Sequence, residues 1–218
     1  MNLFEIFIKG GVIMWLILAS SIVGLAVVFD RLMFLRKAKI NVPAFMVRLR
    51  GLIKKKDISE AVSVCMQEKS PIANIIRKGL KKYRFGHDRV KDAIENAGKQ
   101  EVINMERGLS ILATVAGISP LLGFLGTVTG MITAFMTIED LAGSANPSDL
   151  AGGIWEALIT TAFGLIVGII AFTLYNYLVS AVKRLVGDME TVANDVVDTI
   201  QDLATGGQAS NEEIEIDI

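Results

Sequence analysis

Three stretches of the chain are nearly free of charge and long enough to cross a bilayer. Gly10 to Phe29 is a run of twenty residues without a charged side chain. At about 1.5 Å per residue it covers a hydrocarbon core of about 30 Å. Gly108 to Ile138 is uncharged over thirty-one residues, more than one crossing needs, so its ends must emerge or tilt. A third apolar run, Ile154 to Val182 with one acid, Glu156, near its start, completes the set. These runs predict transmembrane helices over residues 10–30, 108–138 and 151–182, in an all-α fold with long helices extending into the cytoplasm.

Outside the spans the pattern is also helical. Asp57 with Glu60 three residues on reads as a capping box, and Ser70 followed by Pro71 as a cap with proline at the first helical position; together they start two short helices. From Asp88 onward Val90, Ile94, Ala97, Ile103 and Leu109 recur at roughly helical spacing, with no proline or glycine pair before the second span. That predicts one helix of about fifty residues, roughly 75 Å long. After Val182 the residues Leu185, Met189, Val192, Val196, Ile200 and Leu203 continue one apolar stripe, extending the third helix over 183–205. Residues 206–218, ending in NEEIEIDI, lack this period and read as a disordered acidic tail.

Charge orients the spans. Of 22 lysines and arginines, 19 fall between Arg31 and Arg107, a region with 8 acids and a net charge of +11; Lys183 to Ile218 carries 2 basic and 9 acidic residues, net −7. The cluster Arg31, Arg36, Lys37 and Lys39 follows the first span and holds its end in the cytoplasm, leaving residues 1–9 outside. The loop 139–150 carries Glu139, Asp140 and Asp149 and no basic residue, which places it outside by an independent criterion. A cleaved leader fits the first span poorly, because the apolar stretch is long and its positive cluster follows it. A chain 52% hydrophobic agrees with the membrane class, with lipid as its surrounding partner.

Spans two and three each carry a face of small and hydroxyl residues. Ser119, Gly123, Thr127, Gly130, Ala134 and Thr137 follow three- and four-residue steps, as do Ala157, Thr161, Gly164, Gly168 and Ala171, with Glu156 and Thr160 at the edge of the second stripe. Close helix packing accounts for the glycines, including Gly126-x-x-x-Gly130 and Gly164-x-x-x-Gly168. The threonines suit either packing or the lining of an aqueous path. Glu156 is costly inside a span, which favours a pairing or a wet cavity, although its place a turn from the external end also lets it reach headgroup water. Pro120 forfeits one backbone hydrogen bond and is expected to bend its helix among Gly117, Ser119 and Gly123.

Other chemistry is sparse. Cys65, the one cysteine, shares a helical face with Ile58, Ala61 and Val62 and reads as a buried, inert thiol; His87, the one histidine, follows Gly86 in a surface turn. No phosphate-cradling glycine loop, no metal-spaced Cys or His cluster and no nucleophile with a histidine partner is present, so neither an enzyme nor a cofactor or metal is expected. The basic region interleaves its charges with acids and has few aromatics, which argues against nucleic acid.

The segments GISPLLGFLGTVTGMITAF, residues 117–135, and LAGGIWEALITTAFGLIVGIIA, residues 150–171, together resemble the paired signature of the ExbB/TolQ/MotA proton-channel proteins, and DRLMFLRK, residues 30–37, resembles the exit of their first span. Three spans with an external N-terminus fit the ExbB/TolQ branch, since the MotA branch has four. The resemblance implies a pentameric ring in the bacterial inner membrane, with spans two and three around a pore. A single-span ExbD/TolR-like partner there carries the titrating aspartate, and a TonB/TolA-like protein spans the envelope. By motif position it makes Thr127 and Thr161 the pore threonines and Glu156 a pore-facing acid. Thr160 is an added hydroxyl beside Thr161, and Pro120, Gly123, Gly130, Gly164 and Gly168 shape the pore helices. A stand-alone ion channel and a membrane scaffold are the alternatives; the first is disfavoured by the absence of an inverted repeat or a midplane charge.

Overall fold

The computed structural model describes residues 3–38, 40–141 and 146–215, with side chains between residues 5 and 203. Lys39 of the basic cluster, residues 142–145 of the acidic loop and residues 216–218 of the acidic tail lie outside the described residues. Among the described residues there are eight α-helices, a 3-10 turn and no strand. The helices are α1 (Leu3–Lys9), α2 (Gly11–Ala38), α3 (Val42–Lys54), α4 (Ile58–Gln67), α5 (Pro71–Leu80), α6 (His87–Glu106), α7 (Leu109–Asp140) and α8 (Pro147–Glu215), with the 3-10 turn at Tyr83–Phe85. Three helical stretches are long and apolar enough to cross a membrane: Gly11–Ala38, His87–Asp140 and Pro147–Leu203.

The chain divides into two compact units, Met1–Leu32 with Gly108–Val179, and Met33–Arg107 with Ser180–Ile218. In the first unit Met14, Ile17, Leu112 and Leu178 are buried, but from Ser119 onward along α7 the buried side chains are small and the bulky ones face out. Ser119, Gly123, Gly126, Gly130 and Ala134 of α7 are buried, whereas Leu121, Phe124, Ile132 and Phe135 of the same helix are exposed. The same inversion holds on α8, where Ala157 and Ala171 are buried and Leu158, Ile169 and Phe172 are exposed. In water such a surface would be unfavourable by about 25 cal/mol per Å². In lipid it is the ordinary arrangement, because acyl chains are as apolar as leucine and close backbone approach drives helix association.

The second unit has a conventional apolar core. α5 is buried along nearly its whole length, including Ile72, Ile75, Ile76 and Leu80, and Gly79 lets it approach α6 so closely that a Cβ there would collide with Ile94. Both cap signals of the sequence are realised: the Asp57 carboxylate accepts from the Glu60 N–H at 3.0 Å and the Ser70 hydroxyl from the Ala73 N–H at 3.2 Å. The capping box closes on one side only, since the Asp57 N–H donates to the Leu52 carbonyl instead. A third cap escaped the sequence reading: Asn41 accepts from the Ala44 N–H at 3.2 Å and opens α3.

Two expectations need correction. The fifty-residue helix is interrupted at Arg107 and Gly108, because Gly108 adopts φ +81° and Arg107 an extended ψ of 129°; a single glycine in the left-handed region is enough to end one helix and start another. The buried face of α6 also differs: Val90, Ile94, Ala97, Glu101 and Met105 are inside, and Ile103 is exposed. Glu101 occupies the position the apolar pattern left blank and is accommodated by a hydrogen bond from the Asn74 side-chain amide, whose oxygen accepts from Arg77 at 2.7 Å. The continuing stripe of α8 is as expected, with Leu185, Met189, Val192, Val196 and Ile200 buried. The helix runs on past Gly206 and Gly207 to Glu215, where no proline interrupts it.

Candidate ion-path site

The site lies in the first unit, along the seam of α7 and α8. Its glycines are structural requirements of that seam. A Cβ on Gly164 would stand 2.6 Å from the Ser119 carbonyl oxygen, one on Gly123 3.0 Å from the Thr160 carbonyl oxygen, and one on Gly130 2.6 Å from the Gly153 carbonyl oxygen. The 2.6 Å approaches are closer than side-chain atoms tolerate and the 3.0 Å one is tight, so backbone meets backbone along several helical turns. Gly168 does the same for Pro120: its missing Cβ leaves room for the proline ring, at 2.5 Å from Cγ. Pro120 deprives the Ala116 carbonyl of its helical donor, and that oxygen lies against Gly168 as well, 3.3 Å from the same vacant position. α7 nevertheless continues through Pro120 without a break.

This close approach brings Thr127 and Thr161 together. Their hydroxyls are hydrogen-bonded to each other, and Thr161 Oγ1 also lies 3.0 Å from the Gly123 carbonyl oxygen on the opposite helix and 3.1 Å from that of Ala157 on its own. Thr127 Oγ1 lies 3.4 Å from the same two carbonyl oxygens. Each hydroxyl has one proton to donate and two lone pairs with which to accept. The surrounding carbonyls can only accept, so the pair retains spare acceptor capacity. Both side chains are half-buried, which leaves one flank of the pair open.

The neighbouring hydroxyl behaves differently. Thr160 is 0% exposed, packs onto Gly126, and donates back to the carbonyls of Glu156 at 2.9 Å or Ala157 at 3.0 Å in its own helix. It fills the seam from within. Glu156 is not brought to the hydroxyl pair. Five residues before Thr161, it is rotated from it by roughly 140° about the helix axis, and its carboxylate lies against Gly11 at the start of α2. That contact joins residues far apart in the sequence and left no trace in the periodicity. A further polar contact that the sequence reading missed holds α2 to α7: the Ser20 and Ser119 hydroxyls are 3.2 Å apart, with Ser119 fully buried.

In the second unit Cys65 is buried, and burial pushes its thiol up to about 12, with Arg77 opposing the shift weakly. His87 opens α6 half-buried. Among the described residues no group of three or more His, Cys, Asp or Glu side chains is arranged to hold a metal.

Comparison with known proteins gives the chain a family. Residues 67–191 match the MotA/TolQ/ExbB proton channel family. The chain is 34% identical to a biopolymer transport protein ExbB homolog of Methanothermobacter thermautotrophicus, over 86% of this chain and 67% of the relative. It is 34% identical to the biopolymer transport protein ExbB-like 1 of Synechocystis, over 82% of this chain and 71% of that one. With the biopolymer transport protein ExbB of Neisseria gonorrhoeae it shares 27% identity over 90% and 96% of the two chains.

Proposed function

Because the chain belongs to the MotA/TolQ/ExbB proton channel family, we propose that it is the ExbB-like ring subunit of an ion-driven motor in the cytoplasmic membrane, with Thr127 and Thr161 as its contribution to the ion path. The observation that carries this reading is the pair of bonded hydroxyls at the rim of the α7–α8 seam. Threonines can solvate an ion or a protonated acid but cannot titrate near neutral pH, and the middle of each span offers no ionisable side chain. The titrating group therefore comes from a partner, a single-span ExbD/TolR-like protein whose aspartate, when protonated, donates to the spare lone pairs of the pair. A pentamer of this chain surrounds that partner, and a TonB/TolA-like protein carries the work to the envelope. A proton crossing the membrane releases about 2.3 kcal/mol per 100 mV, enough to bias two arrangements of ring and partner against each other.

The positive cluster at the end of α2 and the acids at the end of α7 and the start of α8 support an N-terminus in the periplasm and a C-terminus in the cytoplasm. Bonds from the two threonines to Gly123 and Ala157 favour a second reading, in which the hydroxyls only bind the seam. Reconstitution separates the readings. The full chain, co-purified with a single-span ExbD/TolR-like protein and placed in liposomes, is expected to pass protons under an imposed potential. Flux from this chain alone would favour a stand-alone channel, and no flux from an intact complex would favour a scaffold.

A further inference from the structure

We propose that Glu156 is a positioning residue of the first span and not an acid of the ion path, a role that takes its meaning from the path proposed above. Its carboxylate occupies the space that Gly11 leaves by lacking a side chain. A Cβ on Gly11 would collide with Oε1, stand 2.9 Å from the carboxyl carbon, and reach 3.6 Å from Oε2, so the whole group is seated over this residue. Gly11 also has φ +63°, a conformation in which L side chains are strained, and it separates α1 from α2. The first turn of α2 contains no acid of its own. A carboxylate there complements the partial positive charge of the helix start, all the more in a region of low dielectric. Glu156 supplies it from α8.

A second contact joins the same two parts of the chain: Lys9, the last residue of α1, holds its ammonium 6.0 Å from the ring centre of Trp155. Further along, α2 is fixed to α7 by Ser20 on Ser119 and by Gly24 against Val115, 3.2 Å from the position of a Cβ. Glu156 closes the remaining end of this packing. Thr161 and Thr127 stand on another flank of the seam, so the carboxylate is committed to α2 and is turned away from the hydroxyl pair.

A double-mutant cycle tests this role in the full chain purified with its partner, read by thermal unfolding and by proton flux against pH. Gly11→Ala should lower the melting temperature in the wild-type background and do so less in Glu156→Ala. The strain of the positive φ is common to both backgrounds and cancels, and the carboxylate collision does not. Glu156→Gln, which keeps the shape of the group, should retain flux within about threefold and leave the pH profile unmoved. The proposal is overturned if Gly11→Ala is equally destabilising in both backgrounds, or if Glu156→Gln abolishes flux. Coupling in the melting temperatures with no flux from any protein, wild type included, would support the docking role and sink the ion-path reading instead.

Discussion

At the scale of single residues, two adjacent threonines have opposite fates. Thr160 and Thr161 are indistinguishable by composition, yet one is sealed under Gly126 and the other stands half-open beside Thr127. Thr161→Val removes the hydroxyl and keeps the shape. It is expected to reduce proton flux at least about tenfold, a barrier change of ~1.4 kcal/mol, with the complex still assembled by size-exclusion chromatography. Thr160→Val is expected to leave flux within about threefold, since the Thr160 hydroxyl serves only its own helix. The stripe of three- and four-residue steps made both threonines visible in the sequence, but which of them meets Thr127 depends on how two helices are rotated about their axes, and periodicity within one helix carries no such information. Cys65 was legible as buried. Its thiol stays neutral until about 12, whereas in the unfolded chain it ionises near its ordinary value. Stability from this group is therefore intact below the ordinary value and lost as pH rises through the interval to about 12. Iodoacetamide at pH 8.5 should label the folded protein slowly and the denatured chain fast, and rapid labelling of the folded form would contradict the burial.

At the scale of elements, caps and stripes were readable because their causes are local. Asp57 and Ser70 announce their helices through side chains that bond three residues on, and the apolar stripe of α8 through Ile200 follows from a 3.6-residue period. The break at Gly108 was hidden because an isolated glycine is compatible with either a continuing helix or a left-handed stop, and only the backbone angle of +81° decides. The buried Glu101 was hidden because its partner, Asn74, lies on another helix. The seam of α7 and α8 yields the sharpest test at this scale. Gly164→Ala would put a methyl group 2.6 Å from the Ser119 carbonyl oxygen. It is expected to destabilise the detergent-solubilised protein by about 1–3 kcal/mol, the usual cost of overpacking, seen as a lower melting temperature. An alanine on Gly117, which has open space around it, should leave that temperature nearly unchanged.

At the scale of the whole molecule, the sequence separates charge-poor apolar stretches from charged ones, and the fold has two compact units whose boundaries fall near those changes in composition, at Leu32, Arg107 and Val179. Lipid is the reason the α7–α8 seam buries glycine and alanine while Phe124, Leu158 and Phe172 of the same helices are exposed. Assembly and partnership are properties of surfaces that one chain presents without filling, which is why they rest on proposal. The central claim, that Thr127 and Thr161 face an aqueous path, is open to one direct measurement. In a Cys65→Ser background, Thr161→Cys is exposed to a membrane-impermeant, water-soluble methanethiosulfonate reagent during proton flux in liposomes that also contain the single-span partner. The account predicts that the water-soluble reagent modifies this position in the assembled complex, read by mass spectrometry. Modification by a lipid-soluble maleimide alone, with the position untouched by the water-soluble reagent, would contradict it.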